Sequence, residues 1–317
     1  MNILVTGIAG FIGSNFAKQF KERFPDALIV GIDDFSSGRR EALINDIVFY
    51  EGSVTDTALL EKIFLAHKPE YVFHFAAIPR VSYSVEQPVK TTDANVTGII
   101  AMLTASKNHG VKRFIFSSSS SVYGGAKDLP TKESENLPDP KSPYAAQKLC
   151  GEIFCKLFSE LYGLDTVCLR YFNVYGPGQY GDSAYSTVIS AWLEALYFPE
   201  RKKAFIEGDG TQSRDFCFVD NVVDANIKTM GSSRPFKGET FNIAHGERTA
   251  VNEVKNLIEE YTGKKLDLEQ RTPRVGDVTH THADINKAKK WFGYQPTTDF
   301  KKGLRETVKW FEERIKQ

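Results

Sequence analysis

A tyrosine and a lysine four residues apart, Tyr144 and Lys148, stand near the head of an amphipathic run over residues 144–162. Ser142 is placed to cap that run as a helix, and Pro143 suits its first turn. At this spacing the two side chains share one helix face and can meet at a bound ligand. A free phenol, with a pKa of about 10, is a poor base at neutral pH. A cation held beside it favours the phenolate and brings it toward the working range. The chemistry on offer is proton transfer to and from a hydroxyl. Taken alone, such a pair is more often plain helix surface, so the elements around it decide.

Those elements begin with a short apolar strand over residues 3–5, then Gly7, Gly10 and Gly13, then a helical pattern over 11–24. Glycines between strand and helix allow a tight turn and let backbone amides approach a pyrophosphate, whose charge the helix N-terminus favours. A second strand, 27–32, ends at Asp33, where an acid can accept hydrogen bonds from ribose hydroxyls. Its charge repels a 2′-phosphate, so NAD is preferred over NADP, although Arg39 and Arg40 lie close enough to offer a phosphate some compensation. The alternation continues with strands at 47–50, 71–75 and 113–117 and helices at 56–66 and 89–109. Strands alternating with helices, without hairpin turns, predict a parallel sheet covered on both faces, with ligands at the carboxyl strand ends. Gly52-Ser53-Val54, Phe75-Ala76-Ala77 and the run Ser117 to Ser121 fall at those ends. Beyond Arg170 the regular units give way to mixed elements, as expected for a lid over the sheet. The fold class is therefore α/β: a Rossmann-like, doubly wound parallel sheet with a smaller mixed α/β substrate domain. The expected division is 1–172 with 218–245 for the dinucleotide, and 173–217 with 246–317 for the substrate.

Composition bounds the partners. The 317 residues carry 40 basic and 40 acidic side chains, a balance that gives no general hold on nucleic acid or an anionic membrane. Residues 1–5 lack the basic and long apolar regions of a signal peptide, and no apolar run approaches the ~20 residues needed to span a bilayer. Cys150, Cys155, Cys168 and Cys217 show neither metal-ligand spacing nor a disulfide framework, which suits free thiols in a cytoplasmic protein. His74 ends a buried strand and reads as a satisfied core histidine. His280 and His282 alternate near Asp277 and Asp284, but an extended i,i+2 pair is commonly incidental, so no metal is expected. Residues 304–315 form an amphipathic packing helix.

With these parts in place, the chain resembles the extended short-chain dehydrogenase/reductases, and among them the NAD-dependent nucleotide-sugar epimerases. Gly7/Gly10/Gly13, Asp33, the serine run and Tyr144-xxx-Lys148 match in order and spacing. So do the stretches from Leu169 to Pro177, Ser213-Arg214-Asp215-Phe216 and Arg274-Val275-Gly276-Asp277. The resemblance implies Ser119, Tyr144 and Lys148 as catalytic residues. It implies NAD contacts at Gly7, Gly10, Phe11, Ile12, Gly13, Asp33, Ser53, Val54, Phe75, Ala76, Ala77, Ser117, Tyr144, Lys148 and Tyr171. Ser53 departs from the acid usual at its position, which weakens the adenine contact. Substrate contacts fall on Ser119, Ser120, Asn173, Arg214, Arg274, Asp277 and Thr281.

The segments around Gly181 to Tyr185, Ser213 to Cys217 and Asp277 to Asp284 are most similar to UDP-N-acetylglucosamine 4-epimerases. Enzymes restricted to plain hexoses tend to carry a bulky aromatic where Thr281 stands, so its small side chain leaves volume for a 2-acetamido group. The implied reaction is reversible C4 epimerisation to UDP-N-acetylgalactosamine through a 4-keto sugar, with NAD tightly bound and Tyr144 lowered in pKa by Lys148 and the nicotinamide. A UDP-glucose or UDP-glucuronate 4-epimerase is the nearest alternative. A 4,6-dehydratase would need an Asp-Glu pair where Ser120 and Ser121 stand, and a non-catalytic NAD sensor would not need the Ser-Tyr-Lys set. The resemblance also implies a homodimer formed through helices near 89–109 and 143–162.

Overall fold

The structure, a computed structural model, describes residues 1–183, 186–272 and 278–315. Seven parallel strands form one sheet: β1 (Asn2–Thr6), β2 (Leu28–Asp33), β3 (Val48–Glu51), β4 (Tyr71–His74), β5 (Arg113–Ser119), β6 (Thr166–Tyr171) and β7 (Glu239–Ile243), in the order β7-β6-β5-β4-β1-β2-β3. Their interiors are almost wholly buried, because helices cover both faces and leave no solvent side for polar alternation. The strand order reverses between β1 and β4, which opens a crevice at their carboxyl ends. Neither β6 nor β7 was among the strands expected from the sequence. Strand β7 pairs with β6 only after about seventy intervening residues have built the lid.

Helices α1 (Phe11–Arg23), α2 (Thr57–His67), α3 (Gly98–Asn108), α4 (Pro143–Tyr162) and α5 (Val219–Gly231) pack on the sheet. Phe16 and Phe20 of α1 join Val222 and Val223 of α5 on one face. Ile63, Phe64, Met102, Leu103 and Phe158 from α2, α3 and α4 fill the other. A separate apolar core, including Trp192, Val254, Ile258, Leu304 and Phe311, holds together the elements beyond β6. Caps set the helix ends where the sequence places them: Asp56 accepts from the Leu59 N–H at 3.0 Å and Ser142 from the Ala145 N–H at 3.2 Å.

The helix before the expected 89–109 span starts one residue early, at Pro88, and contains a wide π turn at Asp93–Thr97. That turn carries Asn95 inward. Its carboxamide accepts from the Ile78 N–H (2.7 Å) and donates to the Ile78 carbonyl (3.2 Å) and to Gln147 Oε1 (2.8 Å). The 75–80 loop is thereby tied to α4.

A second buried tie lies deeper in α4. Arg170 forms a two-pronged pair with Glu152 (2.8 and 2.6 Å), and Glu152 also accepts from the Ser118 hydroxyl at 2.5 Å. Both charged side chains are about 5 % exposed. Removing one partner of such a pair strands the other charge, whereas replacing both by apolar groups is often neutral. Arg170→Met is therefore expected to cost about 3–5 kcal/mol in urea unfolding, and the double change Glu152→Met/Arg170→Met to recover most of that loss.

Candidate active site

At the strand ends, the first turn of the chain is built by close backbone approach. Gly7 adopts φ +67°, and a Cβ there would stand 2.7 Å from the Ala76 nitrogen. A Cβ on Gly13 would stand 2.1 Å from the Gly7 carbonyl oxygen. Gly10 caps α1 without a side chain, so nothing on the cap residue satisfies the first-turn N–H groups of Phe11 and Ile12. Beneath the turn, Thr6 Oγ1 bonds His74 Nδ1 (2.9 Å) and accepts from the Ala76 N–H (3.1 Å). Burial, reinforced by the positive charge of Lys148, pushes His74 down to about 3, so it is a neutral structural group that fixes the Phe75–Ala77 loop.

Asp33, at the end of β2, accepts from the N–H groups of Ala9 (2.9 Å) and Phe35 (2.8 Å). Burial raises its pKa and these two bonds pull against that rise. Two acceptor positions remain for hydroxyls. The nearby arginines are engaged with acids: Arg39 contacts Asp182 and lies 3.8 Å from the centre of the Tyr180 ring, and Arg40 pairs with Glu51 at 2.6 Å. That pairing offsets the positive charge a 2′-phosphate would need.

Tyr144, Lys148 and Ser119 converge on one wall of a cavity of about 910 Å³. The Ser119 hydroxyl lies close enough to the Tyr144 phenol to lower its pKa. Lys148 Nζ donates to the Ser117 carbonyl (2.8 Å) and lies 5.8 Å from the centre of the Tyr144 ring. The backbone N–H of Tyr144, in the first turn of α4, donates to the buried Ser84 hydroxyl at 3.0 Å. The protonation states run opposite to the simplest expectation. Burial pushes Tyr144 up to about 12, the Ser119 hydroxyl lowers it only in part, and Lys148 is pushed down to about 8 by burial. The protein's own groups thus hold a neutral phenol beside an amine that is still mostly protonated at neutral pH, and a lowered phenol requires further positive charge at the site.

Of the other expected cofactor residues, Gly7, Gly10, Phe11, Ile12, Gly13, Ser53, Val54, Phe75, Ala76, Ala77 and Ser117 line this cavity. Ser53 turns its hydroxyl to Thr55 (2.9 Å), which fits the missing acid at that position. Tyr171 also lines the cavity, but its hydroxyl is committed to Ser117 (3.1 Å) and Asn226 (2.9 Å), so only its ring and backbone remain to meet a ligand.

Among the expected substrate residues, Ser119, Ser120, Asn173, Arg214 and Thr281 line the same cavity. Arg274 and Asp277 lie outside the described residues, as do Ala184 and Tyr185. His280 and His282 do not converge: one bonds Ser213 Oγ (2.8 Å), the other the Gly246 carbonyl (3.0 Å). Arg214 does not pair with its neighbour Asp215, whose carboxylate is fully buried on backbone N–H groups. Sequence reasoning missed Ser121, whose hydroxyl is buried without a partner at the cavity wall; Arg80, in a loop the sequence places near the sugar, lines the same cavity. It also missed a second cavity of about 260 Å³, which shares Asn173, Thr187 and Arg214 with the first and is walled by Val188, Trp192 and Phe205. The serine run was the signal for Ser121. The second cavity, assembled from residues 173–251, has no local signature.

Residues 3–244 match the model of the NAD dependent epimerase/dehydratase family. The chain belongs to that family. A UDP-glucose 4-epimerase of Thermotoga maritima, solved with UDP-glucose, is 38 % identical with a TM-score of 0.93, covering 99 % of this chain and 100 % of that one. A UDP-N-acetylglucosamine 4-epimerase of Methanobrevibacter ruminantium, solved with UDP-N-acetylmuramic acid, is 39 % identical with a TM-score of 0.90, covering 99 % and 98 %. A UDP-glucuronate 4-epimerase of Thermodesulfobacterium geofontis is 33 % identical, covering 98 % and 96 %. The family's cofactor is NAD, and the site fits it: a side-chain-free cradle at Gly7 and Gly13, unsatisfied donors at the head of α1, and a held acid at Asp33. No helix among the described residues is long and apolar enough to cross a membrane.

The buried amine sets a stability test. Lys148 has a lowered pKa in the fold, so between about pH 8 and its unfolded value near 10.4 the unfolded chain binds more protons, and stability rises with pH. The stability difference between wild type and Lys148→Met, from urea unfolding of cofactor-stripped protein, is expected to shift in favour of wild type from pH 7 to 10.

Proposed function

We propose that this NAD-dependent UDP-sugar 4-epimerase interconverts UDP-N-acetylglucosamine and UDP-N-acetylgalactosamine. The observation that carries the choice of sugar is Thr281, a small side chain on the cavity wall where a bulky aromatic would occupy the space of a 2-acetamido group. Overall identity does not choose, since the glucose and N-acetylglucosamine relatives stand at 38 % and 39 %.

When bound, NAD supplies reversible two-electron oxidation of the C4 carbinol to a ketone. The chain's residues supply the rest. Tyr144 takes the O4 proton and later returns it, with Ser119 donating to the same oxygen and stabilising its shifting charge. Lys148, fixed by the Ser117 carbonyl, is placed to carry positive charge beside the phenol. Arg214 anchors the diphosphate while the keto sugar turns over, its planar guanidinium suiting two phosphate oxygens at once, and Asn173, whose two Nδ2 hydrogens go to Asp215 and Thr281, meets the substrate through its backbone and Oδ1. The second cavity, which shares Arg214 with the first, takes the nucleoside base.

One observation favours a second reading. Arg80 lines the main cavity as a half-buried cation whose pKa is lowered by burial, and a C6 carboxylate would suit it. UDP-glucuronate is therefore the runner-up substrate.

A homodimer is part of the same proposal. Ile153, Leu157 and Leu161 repeat every four residues along α4 and are 52 %, 39 % and 67 % exposed, with exposed Val89 on the neighbouring helix. Light scattering is expected to give twice the 35.6 kDa chain mass, and a monomer would remove this part of the proposal.

The substrate is tested by NMR on purified protein with UDP-N-acetylglucosamine, UDP-glucose or UDP-glucuronate and no added cofactor. The expected result is a new anomeric signal from UDP-N-acetylgalactosamine. Conversion of only another sugar would overturn the choice made through Thr281. Tyr144→Phe is expected to lose roughly 10²-fold or more in rate with NAD content unchanged.

A further inference from the structure

We propose that Asp215, which lines neither cavity, is a positioning residue for the nucleotide-sugar subsite, pinning three chain segments so that Asn173, Arg214 and Thr281 face the cavity as one unit. The inference rests on the reading of those three side chains as substrate contacts.

The bonds run in two directions. The carboxylate of Asp215 accepts from the backbone N–H groups of His245 (3.0 Å), Gly246 (3.2 Å) and Ala283 (3.1 Å). These tie it to the loop after β7 and to the segment carrying Thr281. Its own backbone N–H donates to Thr281 Oγ1 (3.1 Å), and its carbonyl accepts from Asn173 Nδ2 (3.1 Å). The triangle closes where Asn173 Nδ2 donates to Thr281 Oγ1 at 3.0 Å. Arg214 is the preceding residue, with its guanidinium held by the Ser213 and Thr279 carbonyls, both at 3.1 Å.

Two consequences follow from counting bonds. A threonine hydroxyl has two acceptor positions and one donor, and here both acceptor positions are taken. Thr281 can therefore only donate toward the cavity, which suits an acceptor such as the acyl oxygen of a 2-acetamido group. Asn173 is held at φ +31°, a left-handed backbone that persists only where its surroundings over-determine it. The bond to Asp215 is one of two that hold its carboxamide.

The carboxylate is costly to keep in this place. Burial pushes Asp215 up to about 7, and the three N–H bonds pull against that shift. An asparagine of the same shape has one carbonyl oxygen for three N–H groups and would turn its own NH₂ toward at least one of them. Asp215→Asn thus disturbs the anchor while nearly conserving volume.

The experiment measures KM, kcat and bound NAD for the holoenzymes of Asp215→Asn, Thr281→Val, Thr281→Ser and the double variant Asp215→Asn/Thr281→Val, using the UDP-sugar that wild type converts. Asp215→Asn is expected to raise KM about ten-fold with kcat within about two-fold of wild type and NAD content unchanged. Thr281→Val should act in the same sense, Thr281→Ser should raise KM less than Thr281→Val because it keeps the hydroxyl, and the double variant should fall short of the combined single effects, because both act through one hub. A folded Asp215→Asn with wild-type KM beside a raised KM in Thr281→Val overturns the role of Asp215 and leaves the subsite reading standing. Wild-type KM in both overturns the subsite reading and the positioning role with it. Should Asp215→Asn yield no folded protein, Asp215→Glu takes its place: a raised KM with NAD content unchanged supports the hub, and wild-type KM beside a raised KM in Thr281→Val overturns it.

Discussion

Three side chains spaced four residues apart on one face of α4 meet three consecutive residues at the end of β5, two of them through hydrogen bonds. Tyr144 meets Ser119, Lys148 meets the Ser117 carbonyl, and Glu152 meets Ser118. A polar helix face buried against a strand end is tolerable only when nearly every group on it is satisfied. Here the same bonds serve folding and chemistry. The pair buried in the core, Glu152 with Arg170, orients the serine run from below, and the pair that would move protons sits at its open end. The register of helix on strand is thus set by groups that cannot slide by one residue without losing partners.

The remainder of the site is arranged around that contact. The Gly7 turn and the Ala76 loop press together under the cofactor position, with His74 and Thr6 holding the loop from inside the sheet. Asn95, displaced inward by its π turn, links that loop to Gln147 on the same α4 face. Substrate-side residues come from distant stretches of chain and meet at Asp215. Cofactor and sugar ends are therefore held by separate buried polar junctions, so that substitutions at one can change KM without emptying the other.

Much of the dinucleotide half was legible because its signals are local. Glycines with fixed spacing, an acid at the next strand end and a capped amphipathic helix each occupy a few adjacent residues, and the structure places Gly7, Gly13, Asp33 and Ser142 accordingly. Less legible was whatever depends on contacts far apart in sequence. Ser84 meets the Tyr144 N–H across sixty residues, and nothing near Ser84 announces it. The seventh strand, the second cavity and the Asp215 junction share that character. The protonation of Tyr144 in the protein alone was hard to read for a related reason: spacing reveals that a lysine is near, whereas burial, which raises the phenol, emerges only from the packed chain.

The account's central claim is that C4 is oxidised and reduced within one closed site. Its most direct test supplies UDP-N-acetylglucosamine carrying deuterium at C4 and follows the label by mass spectrometry and NMR through conversion in ordinary water. Retention of deuterium at C4 of UDP-N-acetylgalactosamine is predicted, since the hydrogen removed from one face is returned to the other without meeting solvent. Exchange of that deuterium for solvent hydrogen during epimerisation would contradict the account.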